Sequence, residues 1–283
     1  MESRATVRGF GYWSGIDVCV EFRPAPPDSG IVFVRHDLAS PVRIPALVAN
    51  RIETPRRTSL SKDGATIEMV EHILAALAGL GIDNCEVWVD QTEMPGCDGS
   101  SQQFVDALQV AGLVAQDALR QQLIVRQVTR LGDSEYWIEA QPSQDGTTTI
   151  RYRLDYAAAT PAIGRQTAEF SLDREVFCRE LASCRTFMLD QEAKWLLSQG
   201  FGQRVQPSDV LVFDQEGPIE NELRYEDECV RHKILDIVGD LSLAGCRIVG
   251  KIVAHRSGHR LNAELVKALL NEAVEMEPRR LSA

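Results

Sequence analysis

The stretch from Asp227 to Ala244 reads as one helix closed by Gly245, and Ile234, Leu235, Ile237, Val238, Leu241 and Leu243 make it apolar almost all round. Such a helix has to lie inside the protein, with other elements on every side. It nevertheless carries His232, Asp236 and Asp240. At i, i+4 and i+8 these residues drift only about 40° per step, so they share one face. Buried charged groups need partners, and the fold must therefore bring complementary chemistry to this helix. A histidine and a carboxylate one turn apart suit a divalent metal. One remote histidine would complete the three-ligand set of a catalytic zinc, with a fourth position left for water.

His72 is the candidate third ligand. It stands in Val70-Glu71-His72-Ile73-Leu74, where Ile67, Val70, Leu74 and Leu77 recur at helical spacing from Thr66 to about Ala78. Glu71, its neighbour, is then the candidate general base beside that water, as the glutamate is in H-E-x-x-H enzymes. His259 follows Ser257-Gly258, in what reads as a loop before the last helix. Charged groups on otherwise apolar helices are poor candidates for a merely solvated surface.

The rest of the chain supplies a frame. Val18 to Phe22 alternates, Ile31 to Val34 is a short apolar run, and the proline- and glycine-bearing segment between them predicts a β-hairpin. A helix from Thr66 to about Ala78, a strand from Cys85 to Val89 and a helix from Phe104 to Val110 follow. Beyond an alanine-rich connection, strands are expected at Leu123 to Val128, Tyr136 to Ala140 and Thr148 to Leu154. Next come a short helix at Gln191 to Ser198, a strand at Val210 to Phe213, the long helix, a strand at Arg247 to Ala254 and a last helix at Asn262 to Glu275. Each half thus carries strands, then helix, strand, helix. An α+β fold is expected, with two domains of similar topology at 1–115 and 123–283, each an antiparallel sheet packed with helices.

Composition removes several classes of function. A formal charge of -11 argues against non-specific binding to nucleic acid or to an anionic membrane surface. No apolar run reaches the roughly 18 residues of a spanning helix, and the first residues lack a signal-peptide apolar stretch, so a cytoplasmic protein is expected. Seven cysteines without a C-x-x-C pair suggest neither a disulfide framework nor a thiolate zinc site.

Several segments together closely resemble one family. They are VEHILAALAGLGIDN from Val70, RTF at 185–187, LRYEDECVRHKILDIVGDLSLAG from Leu223, and HRSGHRLN at 255–262, with RPAPPDSGIVFVRHDL near the start and DGS at 98–100. The family is UDP-3-O-acyl-N-acetylglucosamine deacetylase, the zinc hydrolase (amidase) of lipid A biosynthesis, and the resemblance covers essentially the whole chain. It implies a two-domain α+β fold with the active site between the domains. It also implies His72, His232 and Asp236 as zinc ligands, Glu71 as general base, and His259 with Asp240 as a charged pair. Thr186 would stand beside the scissile carbonyl, Lys233 on the diphosphate side of the substrate, and Phe187 against the substrate. The cofactor would be Zn2+, although a two-histidine, one-aspartate set also suits Fe2+. The expected partner is the small-molecule substrate, with no nucleic acid, and a monomer is expected.

The chain departs from its family in two places. Trp13 stands where most members have a histidine before the Ser/Thr-Gly pair. Met188 replaces a usual glycine in the insert that implies an acyl passage, and Asp190 and Gln206 bring polarity there, which predicts a preference for shorter acyl chains. Two rival readings are a zinc deacetylase of another N-acetylated sugar nucleotide and a non-catalytic sugar-nucleotide-binding relative.

Overall fold

The computed structural model describes residues 1–273. The first half contains β1 (Ala5–Phe10), β2 (Asp17–Pro24), β3 (Ile31–Arg35), β4 (Val42–Pro45), β5 (Arg51–Ile52), β6 (Ser59–Lys62) and β7 (Ala65–Glu68). Helix α1 (Glu71–Leu80), β8 (Cys85–Val89) and α2 (Gln102–Val110) complete it. Its large sheet has the order β1-β2-β8-β3-β4, and β5, β6 and β7 form a small sheet of their own.

The hairpin expected between β2 and β3 does not form. Strand β8 lies between them, antiparallel to β2 and parallel to β3. A parallel neighbour needs a long crossover, and the segment holding α1 provides it. Burying Phe22, Phe33 and Val87 completely in one core outweighs the local turn signal. The hairpin that does form is β1 with β2, from Ala5↔Phe22 to Phe10↔Asp17. The helix expected from Thr66 begins only at Glu71, because residues 65–68 are strand β7. Asp63 and Gly64, both at positive φ, make the two-residue turn that pairs Lys62 with Ala65. An Asp-Gly pair is a strong hairpin signal, and it prevails over the helical spacing of Ile67 and Val70.

The second half contains β9 (Gln122–Ile124), β10 (Thr129–Gly132), β11 (Trp137–Gln141), β12 (Thr148–Asp155), β13 (Arg165–Ser171) and α3 (Arg174–Val176). These are followed by β14 (Phe187–Leu189), α4 (Asp190–Ser198), β15 (Leu211–Phe213), α5 (Glu228–Leu241), β16 (Arg247–His255) and α6 (His259–Glu272). The large sheet here runs β10-β11-β16-β12-β13, with β9 also on β16. Strand β13 escapes a hydrophobic reading because it is an edge strand in which only Ala168 is buried. Strand β16 is antiparallel to β11 and parallel to β12, so it repeats the placement of β8 in the first sheet. Both large sheets are therefore mixed instead of purely antiparallel. In each, a strand that follows a helix inserts next to one parallel and one antiparallel neighbour.

Helix α6 starts three residues earlier than expected, so His259 is its first residue and not a loop residue. The last two positions of the expected helix lie outside the described residues. Helix α5 is buried without interruption from Ile234 to Leu241, as its composition requires, and a 3-10 turn at Ser242–Ala244 ends at Gly245 in the left-handed region. Helices α1 and α5 pack directly on each other. A Cβ at Gly239 would sit 2.1 Å from the Glu71 carbonyl oxygen, so only glycine lets the two backbones approach this closely. That contact sets the site.

Candidate active site

His72 is the second residue of α1, and His232 and Asp236 face it from α5. Asp236 Oδ1 lies 3.3 Å from His232 Nε2 and 3.7 Å from His72 Nε2, and the ligand atoms of all three residues fall within 4.8 Å of one another. Bonds of about 2.0–2.1 Å in a tetrahedral site put ligand atoms roughly 3.4 Å apart, so the spacing and the N, N, O donor set fit zinc. The His232 Nδ1 is 3.1 Å from the Cys184 carbonyl oxygen. Donation to that carbonyl fixes the tautomer and turns Nε2 toward the other ligands. Burial lowers the His232 pKa to about 3 against the pull of Asp236, which keeps the ring in its neutral, metal-binding form. Asp236 responds oppositely. Burial favours its acid form, but His232 and Lys233 outweigh burial and hold it well below the usual carboxylate range.

A second group of side chains stands beside the ligands. Glu71 is buried and accepts a 2.9 Å hydrogen bond from the Thr58 backbone N–H at Oε2. Its other oxygen, Oε1, is 3.9 Å from His259 Nε2. Burial raises the Glu71 pKa, only partly offset by His259 and His72. Asp240 is fully buried and accepts three hydrogen bonds: from Thr58 Oγ1 at 2.5 Å, His259 Nδ1 at 2.8 Å and Asn262 Nδ2 at 2.8 Å. Burial and the positive end of α6 both disfavour a charged His259, yet Asp240 raises its pKa to about 9. Asp240 thus favours the imidazolium form of His259. The expected Asp240–His259 contact is thus present in the structure.

Thr58 and Asn262 were not anticipated from the sequence. Asn262 follows His259 by three residues on the same helix, so i, i+3 spacing offered a signal for it. Thr58 offered none. It lies ahead of β6, in a segment with no motif of its own.

Thr186 and Phe187 come from the segment that also supplies the Cys184 carbonyl. The Thr186 N–H donates to the Gly99 carbonyl at 2.8 Å, and its side chain is half-buried. The Phe187 ring meets His232 edge-on at 6.4 Å between centroids. Lys233 Nζ sits 5.6 Å from the Phe187 ring centroid and donates to Asp236 Oδ2 at 2.8 Å. Burial works against the ammonium, but Asp236 keeps its pKa above the ordinary lysine value. With its side chain 23 % exposed, Lys233 reaches from Asp236 toward the surface.

Trp13 and Ser14 donate their backbone N–H groups, each at 2.8 Å, to the two oxygens of buried Glu93. The Arg57 guanidinium lies over the Trp13 ring, and Phe201 meets that ring edge-on. Asp190 forms an ion pair with Lys194 on the outside of α4, and Gln206 is exposed.

Comparison with known proteins gives the family. The family model described as UDP-3-O-acyl N-acetylglycosamine deacetylase (LpxC) matches residues 1–271. The protein of that name from Brucella ovis is 38 % identical over 274 residues, 96 % of this chain and 94 % of the relative. Those from Syntrophotalea carbinolica and Myxococcus xanthus are 37 % and 36 % identical, each over 95 % of this chain and 86 % and 84 % of their own length. With the match spanning both sheets and every residue of the site, the chain belongs to the UDP-3-O-acyl N-acetylglycosamine deacetylase (LpxC) family.

Proposed function

We propose that the protein removes the N-acetyl group from UDP-3-O-acyl-N-acetylglucosamine, releasing acetate, as a zinc-dependent step of lipid A synthesis in the cytoplasm. The observation that carries this reading is the grouping of His72, His232 and Asp236 beside a buried glutamate and an Asp240-supported His259. We further take 1–115 and 123–283 as the two domains, since each large sheet draws its strands from one of them apart from Gln122 at the start of β9.

His72, His232 and Asp236 would hold the zinc. When bound there, zinc supplies Lewis acidity, which polarises an amide carbonyl and makes water acidic enough to ionise near neutral pH. Glu71 takes the proton of the attacking water, and its raised pKa brings it closer to the neutral range where a general base works best. The Thr186 hydroxyl donates to the carbonyl oxygen as negative charge develops on it. His259 enters the reaction protonated and gives its Nε2 proton to the departing amine, while Asp240 holds the ring through Nδ1. The 3.9 Å between His259 Nε2 and Glu71 Oε1 is too long for a hydrogen bond, so acid and base stand side by side without neutralising each other. Phe187 packs along the substrate, and the Lys233 ammonium offers charge to its diphosphate side.

The test is acetate release from UDP-3-O-acyl-N-acetylglucosamine by the purified protein, with metal content measured alongside. Zinc-dependent turnover is expected. Metal binding without acetate release would overturn the reading in favour of a binding relative, and release only from other N-acetylated sugar nucleotides would redirect the substrate.

A further inference from the structure

Thr58 meets both halves of the acid–base machinery with different atoms. Its backbone N–H donates to Glu71 Oε2, its hydroxyl donates to Asp240 Oδ1, and its carbonyl accepts from Val70 N–H at the entry to α1. We infer that Thr58 is a positioning residue that sets the base Glu71 and the acid His259 relative to each other. The inference rests on the deacetylase reading above.

In the Thr58–Asp240 bond the hydroxyl donates and the carboxyl oxygen Oδ1 accepts. Among the described residues Thr58 is the donor to Oδ1, while His259 and Asn262 share Oδ2. Two oxygens held from two sides leave the Asp240 carboxylate no freedom to turn. His259 in turn keeps its Nδ1 on Asp240 and its Nε2 toward Glu71. On the other side, the Thr58 N–H occupies Glu71 Oε2 and leaves Oε1 as the oxygen facing the reaction. Glu71 and Thr58 belong to the first half of the chain, and Asp240 and His259 to the second. Thr58 is thus a hydrogen-bonded rivet between halves that must agree to within a fraction of an ångström for proton transfer. Its complete burial keeps water from replacing either bond.

The test compares Thr58→Val, which keeps the shape and loses the hydroxyl, with Thr58→Ser, which keeps the hydroxyl. In Thr58→Val, kcat should fall about 10- to 100-fold, the usual scale for a supporting hydrogen-bond partner, with KM and metal content unchanged. Thr58→Ser should stay close to wild type. In a His259→Ala background, Thr58→Val should have almost no further effect, because the group it acts through is gone. Full loss in both backgrounds, wild-type kcat in Thr58→Val, or equal damage by serine and valine would each overturn the inference. Thr58→Cys, of similar size and a poor donor, carries the same expectation should the valine variant not fold.

A readout independent of turnover is the His259 Nδ1 proton, followed by NMR in the metal-free protein. It should be sharp and far downfield in wild type and Thr58→Ser, and broadened by exchange in Thr58→Val. A signal unchanged in Thr58→Val would also overturn the inference. If the wild type releases no acetate, the deacetylase reading falls, and this signal still decides whether Thr58 holds the pair.

Discussion

The α1–α5 contact and the β14–α4–β15 insert are built to opposite rules. At the contact Glu71, His72, His232, Asp236 and Asp240 are all buried, from Asp240 at 0 % exposure to His72 at 6 %, and backbones touch at Gly239. In the insert, Trp195, Leu197 and Phe201 are 56 %, 47 % and 42 % exposed, and α4 buries only Leu196. Charge sits in the dry region because each group has a partner with good geometry: Asp236 has His232 and Lys233, and Asp240 has three donors. Apolar surface lies open in the other region, where a variable acyl substrate is proposed to bind. On that proposal the chemistry is held rigid, and substrate choice is left to a part that can repack without disturbing it.

The largest effect should come from breaking the ligand set. His232→Ala should lose its metal and about 10³-fold or more in activity, since the metal's share of charge stabilisation is several kcal/mol. Metal analysis decides this, and one zinc per chain in that variant would refute the ligand assignment. Glu71→Gln keeps the side-chain shape and should keep the metal, while kcat drops by about 10²- to 10⁴-fold, the worth of a general base. Wild-type turnover there would sink the proton-transfer role.

Gly239→Ala probes the contact itself. Its Cβ would fall on the Glu71 carbonyl, so α1 and α5 must separate. A stability loss of about 1–3 kcal/mol is expected from overpacking, with lower kcat because Glu71 and His72 move together. Thermal melts and kinetics would expose a contact looser than described if neither changed.

The His259–Asp240 pair gives a pH signature of smaller size. A folded-state pKa of about 9 against an ordinary 6.5 means that the pair's stabilisation is complete below 6.5 and lost as pH rises through about 9. Activity that needs the imidazolium should fall through the same alkaline range. In Asp240→Asn the raising charge is gone, so this limb should move down toward 6.5. An unmoved limb in the pH–rate profile would detach His259 from the acid role.

Smallest of all should be the effects in the insert. Trp195→Ser and Leu197→Ser should leave stability within about 0.5 kcal/mol and metal content unchanged, as exposed substitutions do. Any change in kcat/KM should grow with acyl length. A loss of metal or of kcat on the shortest substrate would erase the contrast between the two regions.

The ligand spacing was legible because it is local: His232, Asp236 and Asp240 share a face by helical geometry alone, and the apolar residues around them forced burial. Glu71 and His72 were legible as candidates because they are charged groups on an otherwise apolar helix. The resemblance to a family supplied Thr186, Phe187 and Lys233, which no local pattern joins to the site, and the pairing of His259 with Asp240. The strand order was not legible, because insertion of β8 between β2 and β3 is decided by a shared core and not by the turn residues between them. Thr58 was hidden most completely. Its hydroxyl meets Asp240 across 182 positions of sequence. Periodicity reports which residues of one helix look the same way, but which residues of another segment look back depends on how closely α1 and α5 cross. The glycine at 239 permits that approach, and only the packed structure gives its distance.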